Sequence, residues 1–290
     1  MKNLFLLLTI TTSAFTQIVS DYAYTGANAM AIAGAAVANP GSYSSPFSNP
    51  GSLNDLDGNS VFLGQSNILS VPYKYLGATF STDQFGMVAV SLQQSKVKSG
   101  SAELSKETDI GISSAFYLRN DKNSTLSVGY TFHSYQWSLG ESAGPSGDGS
   151  DGLPGSSGYA FGLDLGIIAS LRDKHRLGAW IRNVNSPTIG EGNSTWYLPR
   201  RMALGIAYMP YKGLTTSLTF DRQIGEDIQV KGGIDYRLTE LFTIRFGVQS
   251  NPNRMGAGFG LHHKQFRLDY GLITHPVLPI IQQIAMAYQF

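Results

Sequence analysis

From Ser60 onward, apolar and polar residues alternate with period two. Across 228–236, Ile228, Val230, Ile234 and Tyr236 share one face with Gly232, while Gln229, Lys231, Gly233 and Asp235 take the other. The pattern recurs where Phe242, Ile244, Phe246 and Val248 alternate with Thr243, Arg245, Gly247 and Gln249, and where Phe161, Leu163, Leu165 and Ile167 alternate with Gly162, Asp164 and Gly166. Such segments number fourteen: 60–70, 73–82, 86–97, 107–120, 123–138, 158–171, 175–185, 200–209, 213–223, 227–238, 241–250, 254–263, 265–274 and 282–290. All 12 prolines fall outside them, as expected of a residue that cannot donate to a sheet ladder.

The connections sort by parity. The three longest, 98–106, 139–157 and 186–199, lie at one end of the strands, and tight turns dominate the other. An even number of antiparallel strands with short turns at one end and larger loops at the other is the signature of an outer-membrane barrel. The glycine-rich polar face suits a lumen, and the apolar face then meets lipid. The sequence therefore predicts an all-β, 14-stranded antiparallel transmembrane β-barrel over 60–290, with outer-membrane lipid as its surroundings.

Composition agrees with this. Charged residues are 14% of the chain, against about 25% in typical soluble domains, while Gly numbers 33 and Tyr and Phe 15 each. Residues 1–20 carry one Lys, an apolar run over 4–10 and then small and polar residues, the layout of a secretory signal peptide with cleavage between 14 and 20. There is no cysteine, hence no disulfide and no thiolate site. A formal charge of +1 gives no broad footprint for nucleic acid.

Between leader and barrel, 21–59 holds "GANAMAIAGAAVANP" and "SNPGSL". It is too small-sided to build a large core and fits a hatch folded into the lumen. These motifs resemble the start of PorV/PorQ proteins and, more distantly, of FadL-type outer-membrane transporters: Ala27, Ala29, Met30, Gly34, Ala35, Asn49, Pro50 and Leu53 match, whereas Asn28 stands where Arg is usual. "IRNVNSP", "YLPRRMALGIAY" and "LDYGLITHPVL" extend the resemblance over most of the mature chain. It implies a fourteen-stranded barrel with a lumenal hatch, to which Ala27, Asn28, Met30, Gly34, Asn49 and Pro50 belong. It further implies association with type IX secretion components and cell-surface attachment of cargo or, in the FadL-type alternative, uptake of a hydrophobic ligand such as a long-chain fatty acid. The closing strand places Ile284, Met286, Tyr288 and Phe290 on one face, and Tyr288 and Phe290 resemble the signature by which the barrel-assembly machinery recognises its clients.

No catalytic constellation emerges. His262 and His263 point to opposite faces of one strand, poor geometry for a shared metal, and no motif calls for a cofactor. We therefore expect neither an enzyme nor a metal protein. Lys231, Asp235, Arg237, Arg245, Arg267 and Asp269 fall on the polar faces of their strands, because Arg or Lys on the lipid face at mid-bilayer costs about 2–4 kcal/mol. They are expected to line the lumen, pairing with one another and holding the hatch, or to meet the carboxylate of an amphiphilic ligand.

Overall fold

The computed structural model describes residues 24–100, 102–142, 144, 146, 150–190 and 195–290; the expected signal peptide lies outside them. In chain order the strands are β1 (Ser60–Ile68), β2 (Val71–Thr82), β3 (Gly86–Ser99), β4 (Ala102–Asp121), β5 (Ser124–Leu139), β6 (Ser156–Leu171), β7 (His175–Arg182), β8 (Thr188–Ile189), β9 (Trp196–Tyr197), β10 (Arg201–Tyr208), β11 (Leu214–Gln223), β12 (Gln229–Arg237), β13 (Phe242–Gln249), β14 (Arg254–His263), β15 (Phe266–Ile273) and β16 (Ile281–Gln289). Strands β8 and β9 pair only with each other, and the other fourteen form one closed antiparallel barrel. The seam joins β1 to β16, with Ser60 opposite Gln289 and Ser66 opposite Gln283.

The alternation sorts as the sequence requires. On β12 and β13, Ile234, Phe246 and Val248 are exposed on the outer face, whereas Lys231, Gly233, Arg245 and Gly247 are buried inside. Near the turn end, Phe80, Phe85, Tyr208, Tyr211, Phe266 and Phe290 are exposed outside, an aromatic belt of the kind that flanks a barrel's apolar band. Tyr288 stacks between Phe266 and Phe290 there, with ring centroids 4.8 and 6.3 Å away.

Two expectations are corrected. The connection expected at 98–106 is strand: β3 and β4 continue until Ser99 faces Ala102, with a register shift at Val97/Lys98. Both faces are polar here, so the apolar alternation that marks a strand in the band is missing while the ladder continues. Pro72, placed outside the strands by the sequence, sits in β2 opposite Asn67, at the loop end where the ladder starts. Similarly, the 186–199 connection carries the β8–β9 hairpin. At about 3.3 Å per residue, the 20-residue β4 extends about 65 Å. Even when tilted it overreaches an apolar band about 25 Å tall, so one side of the wall projects.

Residues 24–59 fold inside the barrel. They form α1 (Ala27–Ala31), α2 (Ser45–Ser48) and a 3-10 turn (Pro50–Asp55). Helices this short do not persist alone, so the wall supplies their stability.

Candidate functional site

The hatch lies on a track of strand glycines. The Ala27 carbonyl packs on Gly271, the carbonyls of Met30 and Ala31 on Gly256, the Ile32–Ala33 peptide on Gly247, Val37 on Gly178, and Pro50 on Gly129 and Gly166. Alanines and glycines in the hatch meet glycines in the wall, so backbone approaches backbone more closely than any side chain would allow. Gly34 has φ +77 and lies beneath the Tyr24 ring, so both its conformation and its space exclude a side chain. One sector is aromatic instead. Tyr43 and Phe47 of the hatch pack with Phe62, Tyr73 and Tyr75 of β1 and β2, whose large residues alternate inward there. Burial raises the Tyr43 phenol well above its ordinary pKa, keeping it neutral.

Side chains of the hatch satisfy what this packing buries. The Asn49 Nδ2 donates to Val37 O at 2.8 Å and to Ile167 O and Ala179 O on the wall at 3.2 and 3.3 Å, while its Oδ1 accepts from Gly51 N at 3.0 Å. Asn28 donates to Ser42 Oγ at 3.0 Å. Asp55 is clamped by Arg176, whose Nε also donates to Ala38 O at 3.1 Å. Ala27, Met30, Gly34 and Pro50 contribute shape to the packed segment.

The six charges singled out from the sequence fall into two groups. Arg245 reaches Asp235 at 2.5 Å and Asp269 at 2.7 Å, and Arg267 reaches Asp269 at 2.7 Å while lying over the Tyr43 ring. Arg237 sits at the turn-end rim beside the same polar cavity, of about 150 Å³. Lys231 belongs to a different network: it is fully buried and meets Asp221 at 2.6 Å, as does Arg201, with the Tyr24 ring 4.9 Å from its ammonium.

A further line of polar residues was not singled out from the sequence. Thr25 of the hatch hydrogen-bonds Tyr73 and Gln93 at 2.6 and 2.9 Å. Gln93 donates to Asp109 at 2.8 Å, and Asp109 meets His133 Nδ1 at 2.9 Å. His133 Nε2 lies 3.4 Å from Asp164, which accepts from the Asn183 backbone N–H at 2.9 Å. This relay crosses five neighbouring strands, from the hatch to the base of the 183–200 connection. Strand parity puts Asp109, His133 and Asp164 on the inner face, because all three alternate with outward apolar residues, but it does not place them side by side.

Two features occupy the loop end. On one side Ile189 and Leu198 fold inward onto Tyr135, Ala160 and Trp137, beside a cavity of about 30 Å³ that Tyr73 and Gln93 also line. On the other side opens a polar vestibule of about 560 Å³, reaching down to Tyr24.

Residues 12–221 match the sequence model of a family described as "F plasmid transfer operon, TraF, protein". No curated protein sequence matches. Among solved structures, the toluene transporter TbuX of Ralstonia pickettii superposes with a TM-score of 0.63 at 13% identity, covering 91% of this chain and 98% of that one. The toluene transporter TodX of Pseudomonas putida gives 0.59 at 14%, with 90% and 96% covered. A Pseudomonas aeruginosa FadL homologue gives 0.58 at 12%, with 92% and 98% covered. At these identities the likeness establishes the fold alone, a closed antiparallel barrel like those of the FadL-type channels.

Proposed function

The chain belongs to that TraF family, and from this premise together with its FadL-type barrel we propose that it is an outer-membrane channel for small hydrophobic molecules, gated by its hatch. The observation that carries this reading is the apolar cavity at the loop end. Ile189, Leu198, Tyr135 and Trp137 supply its apolar surface beside polar residues such as Asp109 and Arg182, and its wall includes Tyr73 and Gln93, the two side chains that hold Thr25 of the hatch. A hydrophobic molecule replacing Ile189 and Leu198 would press directly on that latch. The toluene transporters of like fold support the same substrate class.

The test pairs uptake with a weakened latch. Cells bearing the protein should take up radiolabelled toluene or oleate faster than cells lacking it, and Thr25→Val with Tyr73→Phe should raise the rate further. Uptake equal to that of cells without the protein, for both molecules and both forms, would end the channel reading.

A second reading, a PorV/PorQ-like partner in type IX secretion or cargo attachment, is favoured by one feature. The lumen is largely filled by the hatch, while β3–β6 project beyond the band and offer a polar surface. Recovery of secretion components with the native protein, without uptake, would select it.

A further inference from the structure

The loop-end vestibule has a chemistry unlike the apolar cavity beside it, and the channel reading makes no use of it. We propose that it binds a small zwitterion, a free amino acid or short peptide, with the ligand's carboxylate on Arg254, Gln249 and His275 and its ammonium on Glu226 and Asp227. This inference does not rest on the channel reading.

The carboxylate half begins with Gln249, buried at the end of β13. Its Oε1 accepts from the Tyr24 hydroxyl, leaving the amide Nε2 buried with no hydrogen-bond partner. Arg254 stands directly opposite on β14, and its Nε is likewise buried and unpartnered. A buried donor without an acceptor costs about 1–3 kcal/mol, and both residues line the vestibule, so an oxygen ligand entering there would satisfy two donors that lack a partner. His275 follows next around the rim. Its Nδ1 accepts from the backbone N–H of Val277 and Leu278 at 3.2 and 3.1 Å, which leaves the proton on Nε2 as a third donor. Desolvation and the neighbouring Arg254 charge lower its pKa below the ordinary value, so it donates as a neutral imidazole.

The ammonium half adjoins this arc. The turn 224–228 joins β11 to β12, the strand beside β13, and brings Glu226 and Asp227 to the same vestibule. Both are exposed and neither forms an ion pair among the described residues. Glu226 Oε1 accepts from Gln223 Nε2 at 3.2 Å, so one wall offers donors and the next offers carboxylates without a cationic partner, within a volume in the range of small-molecule sites, about 300–1,000 Å³. A simple anion would leave the acidic arc unmatched, and a simple cation would leave the buried donors unmatched. Tyr24 couples the site to the hatch: the amide that would hold the carboxylate also receives the Tyr24 hydroxyl.

The test is isothermal titration calorimetry of the full-length, detergent-purified protein with glycyl-leucine, N-acetylglycyl-leucine and glycyl-leucinamide. The dipeptide should bind saturably, and each blocked analogue should bind at least about tenfold more weakly, a difference of about 1.4 kcal/mol. Arg254→Gln should remove the preference for the free carboxylate, and Glu226→Gln with Asp227→Asn the preference for the free amine. All three residues lie at the rim, and retained heat-modifiability on gels reports an intact barrel in each variant. Equal binding of the dipeptide and both analogues would overturn the proposal. So would absence of heat from all three at millimolar concentration, or variants that bind as the parent does.

Discussion

Gly247 and Gly232 sit on neighbouring strands and face opposite ways. A methyl added at Gly247 would lie 2.5 Å from both Ala33 N and Ile32 O of the hatch, and closer still to the Ile32 carbonyl carbon. Ordinary contact begins near 3.4 Å, so the hatch backbone would have to retreat by about 1 Å. No flexible side chain is available to absorb the shift. Overpacking of this kind costs about 1–3 kcal/mol, which lowers the docking equilibrium of the hatch by about 5- to 150-fold, at 1.4 kcal/mol per tenfold. At Gly232 the same methyl meets only Val248 Cγ2, at 3.5 Å, on the outer face. Hydrogen–deuterium exchange in detergent reads the difference, because local opening sets the protection of each segment. Gly247→Ala should reduce protection across 26–39 by that factor and leave the strands unchanged, while Gly232→Ala should alter neither. Equal loss of hatch protection in both variants, or none in Gly247→Ala, would refute the view that backbone proximity along the glycine track holds the hatch.

Asp221→Asn should destabilise the barrel by about 3–5 kcal/mol in urea unfolding, because it leaves the fully buried Lys231 without a carboxylate; adding Lys231→Met should recover part of the loss. Asn49→Ala should open the hatch to limited proteolysis around 37–51, since it strands Gly51 N and Val37 O at about 1–3 kcal/mol per buried group. Ile234→Arg, on the outer face of β12, should lower stability in lipid bilayers by about 2–4 kcal/mol, whereas Arg237→Gln, at the rim without an ion pair among the described residues, should leave the unfolding midpoint within error.

The number and antiparallel order of the strands were legible because a lipid-facing strand must show apolar residues at every second position, as Phe242 to Val248 do. That rule lapses where the ladder leaves the band. The stretch 98–106, expected as a connection, continues the ladder through Lys98–Glu103 and Ser99–Ala102 without the pattern. The site was legible where a charge broke an apolar alternation, as at Lys231 or Arg245, but their partners were less so. Asp221 and Lys231 are ten residues apart and meet only because the β11–β12 register lets both reach inward. His133, Asp109 and Asp164 come from three strands, and the short spans around each give no sign that the other two lie alongside. The apolar cap of Ile189 and Leu198 depends on a hairpin of two-residue strands, too short to produce any periodicity.

The glycine track also bears on the order in which the molecule is assembled. The hatch precedes every strand in the chain, yet much of its bed, Gly247, Gly256, Gly258 and Gly271, lies in strands near the far end, and Tyr24 hydrogen-bonds Gln249 across 225 residues of sequence. Contacts separated so widely form late, after the intervening chain has been organised. The hatch therefore has its full bed only once β13–β16 are in place. Its seating marks the completion of the cylinder around it, so an unfinished barrel remains distinguishable from a finished one by the segment made first.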